Sequence, residues 1–310
     1  MPLPLESLQA AVRITSFGDL LGTGFLVRVL SDAGLGSYSY LITPHHVIRN
    51  HVGIEVEVPN PFTNGALYAP VPVGDWRQPL EGVDLAVAPY LDGEQRNHHA
   101  VCSEAIWPGH PDLGARIYYI GMFEPLNRPI ARSGTTAALE QEGIRHSSGA
   151  YDFPAHLVDC RSYRGFSGSP CSMEIAFARL NGKDVPEWIP QEDRPVAGMN
   201  YYTLLCGMFT SHYTDEDSPQ AEGVISRYGV GVMLPSRFIL EALMTDDACN
   251  ERRQWDGERS AAKSQQQPPL QDASARSAKT SDEFFRFEDL AQKLVQVPKK
   301  ELDDKRREEG

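Results

Sequence analysis

From about residue 10 to 245 the apolar positions fall in short β-like runs punctuated by Gly, Pro, Asn and Asp. Early examples are Ala11-Val12-Arg13-Ile14, Gly24-Phe25-Leu26-Val27-Arg28-Val29, Tyr38 to Ile42, Ile54-Glu55-Val56-Glu57-Val58, Leu85 to Pro89 and Arg116 to Ile120. His156-Leu157-Val158, Leu204 to Phe209 and Tyr228 to Leu234 continue the series. Many short strands at fairly even spacing predict an all-β sandwich or barrel and argue against βαβ units. One segment breaks the pattern: Ser236 to Met244 follows Pro235 and places Phe238, Ile239, Leu240 and Leu243 on one apolar face, which predicts a helix. Residues 60–80, rich in Pro and Gly, and 179–198, with Asn181-Gly182-Lys183-Asp184 and several prolines, are expected to be surface loops.

The pattern changes near 250. Residues 251–281, which include Gln265-Gln266-Gln267-Pro268-Pro269, carry too little apolar surface to offset the entropy of ordering and are expected to be a disordered linker. Within 282–310, Phe284, Phe285, Phe287, Leu290, Leu294 and Val295 recur at helical spacing, with Ser281 at the N-cap and Val297-Pro298 as the stop. An amphipathic helix on such a tether either docks a protein partner through residues 282–297 or packs on its own domain.

Composition narrows the class. The 310 residues are enough for two packed cores and a tail, at roughly 100–200 residues per domain. The formal net charge of −13 argues against a nucleic-acid groove or an anionic membrane surface as partner, because both reward clustered Lys and Arg. No uncharged apolar stretch is long enough to span a bilayer, and Met1 to Glu6 lacks the basic start and apolar run of a secretory signal. The five cysteines (102, 160, 171, 206 and 249) show no C-x-x-C pairing, and His98 and His99 have no cysteine partners at zinc-finger spacing. Free thiols in a reducing, cytoplasmic setting are expected, with no metal and no cofactor.

Three segments carry candidate chemistry. Gly165-Phe166-Ser167-Gly168-Ser169-Pro170 places a serine between residues that include two glycines, as a nucleophile presented on a tight turn requires. The amides of Gly165 and Ser167 would then form an oxyanion hole. His46 follows the apolar run Tyr40 to Thr43 and is a candidate general base and acid; His45 competes with it, and His51 is treated as a loop residue. Asp84 precedes Leu85 to Ala88, where a buried carboxylate needs a partner such as an imidazole N–H, whereas Asp75 and Asp92 lie in polar loops. The order His, Asp, Ser is that of the chymotrypsin arrangement and differs from the subtilisin and α/β-hydrolase orders. An α/β-hydrolase elbow would also require glycine where Ser169 stands.

With these motifs the chain resembles the trypsin-like (chymotrypsin-fold) serine peptidases, most closely the bacterial intracellular and HtrA-like members. The resemblance runs through Gly22 to Val27, Leu41 to Ile48, Val83 to Val87, Gly165 to Pro170 and Gly229 to Ser236. It implies two six-stranded antiparallel β-barrels, about 8–105 and 110–246, within a peptidase domain of residues 1–250 that ends in a helix. It implies a serine endopeptidase acting on a protein or peptide through His46, Asp84 and Ser167. The alternative is a catalytically silent fold of the same kind, used as a protein-binding module through its groove or tail helix. Phe166 replaces the aspartate by which zymogen-activated relatives switch on, so that route is not expected. Arg161, six residues before the serine, stands where many members set the floor of the specificity pocket. With Ser162 and His212 it would favour acidic substrate side chains, unless it points outward or pairs with Asp159. Thr210-Ser211-His212 would line the strand along which the substrate backbone pairs.

Overall fold

The computed structural model describes residues 10–31, 33–59, 68–71, 73–90, 100–126, 128–144, 152–161, 164–176, 201–212 and 229–266. The expected 179–198 loop, the 282–310 tail helix and Ser162 lie outside these residues. The first sheet contains β1 (Ala11–Ser16), β2 (Asp19–Leu30), β3 (Ser37–Thr43), β4 (Ile54–Pro59), β5 (Tyr68–Val71), β6 (Ala86–Pro89) and the short β7 (Val101–Cys102). Its antiparallel path runs β5-β4-β1-β2-β3-β6, with β7 added parallel to β2. The second contains β8 (Arg116–Phe123), β9 (Arg128–Gln141), β10 (Ala155–Asp159), β11 (Pro170–Ala176), β12 (Tyr201–His212) and β13 (Val230–Pro235). It closes as β10-β13-β12-β11-β8-β9. The result is a chymotrypsin-like double barrel.

The first barrel differs in detail from the expectation. Among the described residues, β5 and β6 share no ladder; the segment after β5 reaches the β6 edge through the isolated bridges Val73 to Tyr90 and Arg77 to Val87, which leaves a half-barrel in place of a closed ladder. Pro70 and Pro79 supply no N–H to a ladder, and this limits pairing in that stretch. Within the same expected loop, Tyr68–Val71 form β5 against β4.

The near-continuous apolar runs of β2 and β3 are explained by burial of both faces. Leu26 and Leu41 join Val12, Ile14, Val56, Val58, Ala86 and Ala88 in one cluster. The alternate positions Phe25, Val27, Tyr40 and Ile42 join Ala155, Leu205, Val232 and Leu234 of the second barrel. One face of this strand pair thus fills the first barrel, and the other binds it to the second. The second barrel fills itself with Ile117, Tyr119, Phe166, Cys171, Cys206, Phe209 and Met233. The five cysteines are free thiols, and burial pushes Cys160 up to about 11 and Cys206 up to about 12.

Among the described residues the helices are α1 (His45–Ile48), α2 (Ser236–Leu243), which is the helix expected after Pro235, and α3 (Asp246–Gln266). α3 corrects the expectation that a disordered linker begins at 251. Its first part is held by a handful of side chains. Glu251 pairs with Arg77 at 2.6 Å, and Arg252 donates to the Leu243 carbonyl at 2.8 Å. Trp255 lies 4.9 Å from the Tyr38 ring. Asp256 accepts from Ser31 Oγ at 2.7 Å and from Tyr38 Oη at 2.5 Å. Average composition does not register so few anchors in a polar stretch. Both barrels and α3 as far as Asp256 belong to one compact unit; of the second unit, 257–310, only the end of α3 is described. Among the described residues, no helix is long and apolar enough to cross a membrane.

Candidate active site

α1 is only one turn long, so its N–H groups look outward for acceptors. Pro44 stands at its N-cap in an extended conformation and offers no side-chain bond. The carboxylate of Asp84 takes that role from the neighbouring strand entrance. Asp84 Oδ1 accepts the His46 backbone N–H at 2.9 Å, and Oδ2 meets His46 Nδ1 at 2.7 Å. The Asp84 side chain is fully buried while the His46 ring retains 21% exposure. Both oxygens of a buried carboxylate are therefore committed to one residue, which fixes the ring's position and places its Nδ1 proton. His45 sits beside it, with burial lowering its pKa. His51 and Asp75 are exposed, and Asp92 lies outside the described residues.

Ser167 is carried between β10 and β11 on a turn that needs two glycines. Gly165 and Gly168 have φ of 94° and 95°, in the left-handed region. A Cβ on Gly168 would lie 1.7 Å from the Thr23 carbonyl oxygen, and one on Gly165 would lie 2.6 Å from that of Met122. The turn is thus pressed against the first barrel and β8. The Gly168 amide donates to Phe209 and the Ser169 amide to Phe166, at 2.7 and 3.0 Å. Among the described residues, the amides of Gly165 and Ser167 donate to no carbonyl.

Thr23 joins this turn to the rest of the molecule, and the sequence reading passed over it. Its N–H donates to the Ser167 carbonyl at 2.8 Å, and its hydroxyl donates to the Gly165 carbonyl at 2.6 Å. The same hydroxyl accepts the Met122 amide at 2.8 Å, while the Thr23 carbonyl accepts Thr43 Oγ1 at 2.9 Å. One fully buried residue of β2 thereby holds the serine turn, β8 and the strand leading to His46. The available signal was Gly22-Thr23-Gly24: glycines inside a strand mark close backbone approach. Cβ atoms there would lie 2.9 Å from the carbonyl oxygens of Ser167 and Ile42 respectively.

Phe166 is a plug. It is fully buried, edge-on to Tyr119 with ring centroids 5.8 Å apart. It occupies space that exists because residue 121 is glycine: a Cβ there would fall 2.6 Å from Phe166 Cδ1 and 2.3 Å from Ser169 Oγ. An apolar anchor holds the turn from within the barrel, with no buried charge.

The remaining candidates are dispersed. The Arg161 side chain is exposed, while its carbonyl accepts the Tyr119 hydroxyl at 2.6 Å. Thr210 is buried, and its hydroxyl donates to the Val232 carbonyl at 3.2 Å, so only its backbone is open to other roles. Ser211 is also buried. His212 packs edge-on to Phe209 at 5.7 Å, and burial lowers its pKa. Among the described residues no hydrogen bond joins Ser167 Oγ to His46; the structure brings together His46 and Asp84, and holds Ser167 through its backbone to the strand beside them.

A double barrel whose serine turn docks on the strand feeding a histidine–aspartate pair defines a protease-like fold of the chymotrypsin type. No protein-family model and no curated protein matches the chain at the level of sequence. Among solved structures it is similar to the MamO protease domain from Magnetospirillum magneticum, with 15% identity and a TM-score of 0.48 over 77% of this chain and 98% of that one. It is also similar to the active form of the Rv3671c protease from M. tuberculosis, with 15% identity and a TM-score of 0.48 over 77% and 82%. A third similarity is to the HtrA-type protease AlgW with a tripeptide, with 17% identity and a TM-score of 0.46 over 77% and 62%.

Proposed function

We propose that this chain is a serine endopeptidase with Ser167 as nucleophile, His46 as general base and acid, and Asp84 as the group that orients the imidazole. The observation that carries the reading is the fully buried Asp84 carboxylate, committed through both oxygens to the backbone and ring of His46. With Nδ1 engaged by Asp84, Nε2 is the ring atom left to exchange protons. It takes the Ser167 hydroxyl proton as Oγ attacks the peptide carbonyl, and returns it to the leaving amine as the C–N bond breaks. Water then hydrolyses the acyl-enzyme by the same route. The Gly165 and Ser167 amides, which have no carbonyl acceptor among the described residues, are the proposed donors to the oxyanion. Catalytic hydrogen bonds are often long before substrate binds, and the Ser167–His46 contact is expected to close in the complex.

A serine-reactive phosphonate probe tests this on the full chain. Labelling of the wild type that disappears in Ser167→Ala supports the peptidase. A folded wild type that resists labelling, including with peptide substrates present, rejects it and favours the silent binding module.

A further inference from the structure

We propose that Thr23 and Thr43 are positioning residues whose hydroxyl groups set Ser167 against His46, a role that rests on the peptidase reading. Both threonines are fully buried. Thr23 lies within β2, and Thr43 is the last residue of β3. The β2–β3 ladder ends with Phe25 opposite Ile42. Beyond that pair the Thr43 hydroxyl takes over the connection, donating to the Thr23 carbonyl at 2.9 Å. Pro44 and His45 then lead directly to His46.

The direction of each bond on the serine side is forced. The Met122 amide can only donate, so the Thr23 hydroxyl accepts there at 2.8 Å. Its single proton is then given to the Gly165 carbonyl at 2.6 Å. The Thr23 N–H takes the Ser167 carbonyl at 2.8 Å, so one residue holds the serine turn on both sides of Phe166. Between these anchors the Phe166 carbonyl accepts the Ser169 amide at 3.0 Å and Ser169 Oγ at 2.7 Å. The carbonyls of residues 165, 166 and 167 are thus all committed within the protein. In a planar trans peptide the N–H points away from the C=O. Turning the Phe166 carbonyl onto Ser169 therefore turns the Ser167 N–H to the opposite side, as an oxyanion donor requires.

The path from nucleophile to base is short. It runs from the Ser167 carbonyl to the Thr23 N–H, from the Thr23 carbonyl to the Thr43 hydroxyl, and along the chain from Pro44 to His46. Asp84 fixes His46 at the far end. Side-chain rotation is then left to close the Ser167–His46 contact. Removal of the Thr23 hydroxyl leaves the buried Met122 N–H and Gly165 carbonyl without it, and loss of the Thr43 hydroxyl cuts the link to β3.

The test follows inactivation of the full chain by the phosphonate probe, separated into a rate at saturation and an apparent affinity. Thr23→Val keeps the shape and removes the hydroxyl; the saturating rate should fall on the order of 100-fold, as for a nucleophile misplaced by about 1 Å, with the apparent affinity retained. Thr23→Ser should recover most of that loss. Thr43→Val removes one bond and should lose roughly 10-fold, restored in Thr43→Ser. Val29→Ala, near the far end of β2, should lower the melting temperature and keep the wild-type rate. A folded Thr23→Val that reacts at the wild-type rate overturns the proposal, while labelling of the wild type still upholds the peptidase. A loss that Thr23→Ser does not recover, or that Val29→Ala reproduces, also overturns it. Should Thr23→Val not fold, Thr43→Val decides, and an unchanged rate there rejects the role. A wild type that resists labelling removes both the peptidase and this role.

Discussion

Phe166 and Gly121 must be considered as a pair, because the ring that anchors the serine turn occupies the volume a side chain at 121 would need. Gly121→Ala should push Phe166 and Ser169 aside and displace Ser167 with them. Misplacement of a nucleophile by about 1 Å costs on the order of 100-fold in rate. A loss of that size in phosphonate labelling rate, with the fold retained by circular dichroism, is the expected outcome. Asp84→Asn removes the charge that fixes and stabilises the imidazole, and activity should fall by on the order of 10,000-fold. A different residue-level strain lies in the β1–β2 turn, where Phe17 has φ 50° and Gly18 φ 88°, and Phe17 is 79% exposed. Hairpin turns with two positive φ values favour Asn-Gly. Phe17→Asn should therefore stabilise by about 1 kcal/mol, the lower end of the left-handed penalty, since contact with Gly53 is lost. Thermal melting checks it, with a rise of about 2–4 °C.

Among the elements, α3 departs furthest from its sequence. Its mean composition is that of a solvated chain, yet Arg252 reaches the Leu243 carbonyl and lies over the Tyr40 ring, while Trp255 covers Tyr38 and Tyr40. Trp255→Ala at this half-buried position should cost about 2 kcal/mol, below the range for fully buried Trp, and lower the melting temperature by about 4–8 °C. Truncation after Asn250 should cost more, because it also removes the Asp256 acceptor and the Glu251–Arg77 pair. α1 shows the opposite balance. Pro44, the following histidines and the apolar Val47-Ile48 locate the turn from sequence, and only its capping by Asp84 required the folded chain.

Across the whole molecule, half-buried histidines set a pH dependence. Burial lowers the pKa of both His45 and His212 from 6.5. Below 6.5 the unfolded chain then binds more protons than the native one, so their contribution to stability is present above 6.5 and is lost as pH falls through and below it. Urea midpoints should decline between about pH 7 and 5, and His212→Gln should make that slope shallower; an unchanged slope would remove His212 from the account. The sequence could display what is local. Alternating and doubly apolar runs marked the strands, and glycines marked the serine turn. The chain order of His46, Asp84 and Ser167 could be read because each sits in its own short signature. The bridges across the open side of the first barrel and the Phe166–Gly121 fit could not, because both depend on distant segments arriving at one place. Thr23 makes the distinction plain. Its hydroxyl bonds to a carbonyl 142 residues away, a contact with no local signature beyond two flanking glycines, and it is that contact which sets the serine turn against the strand leading to His46. By itself the sequence determined which side chains were available for chemistry. Only the packing of one barrel on the other decided which of them meet, since burial and hydrogen bonding across that junction depend on three-dimensional proximity that spacing along the chain does not encode.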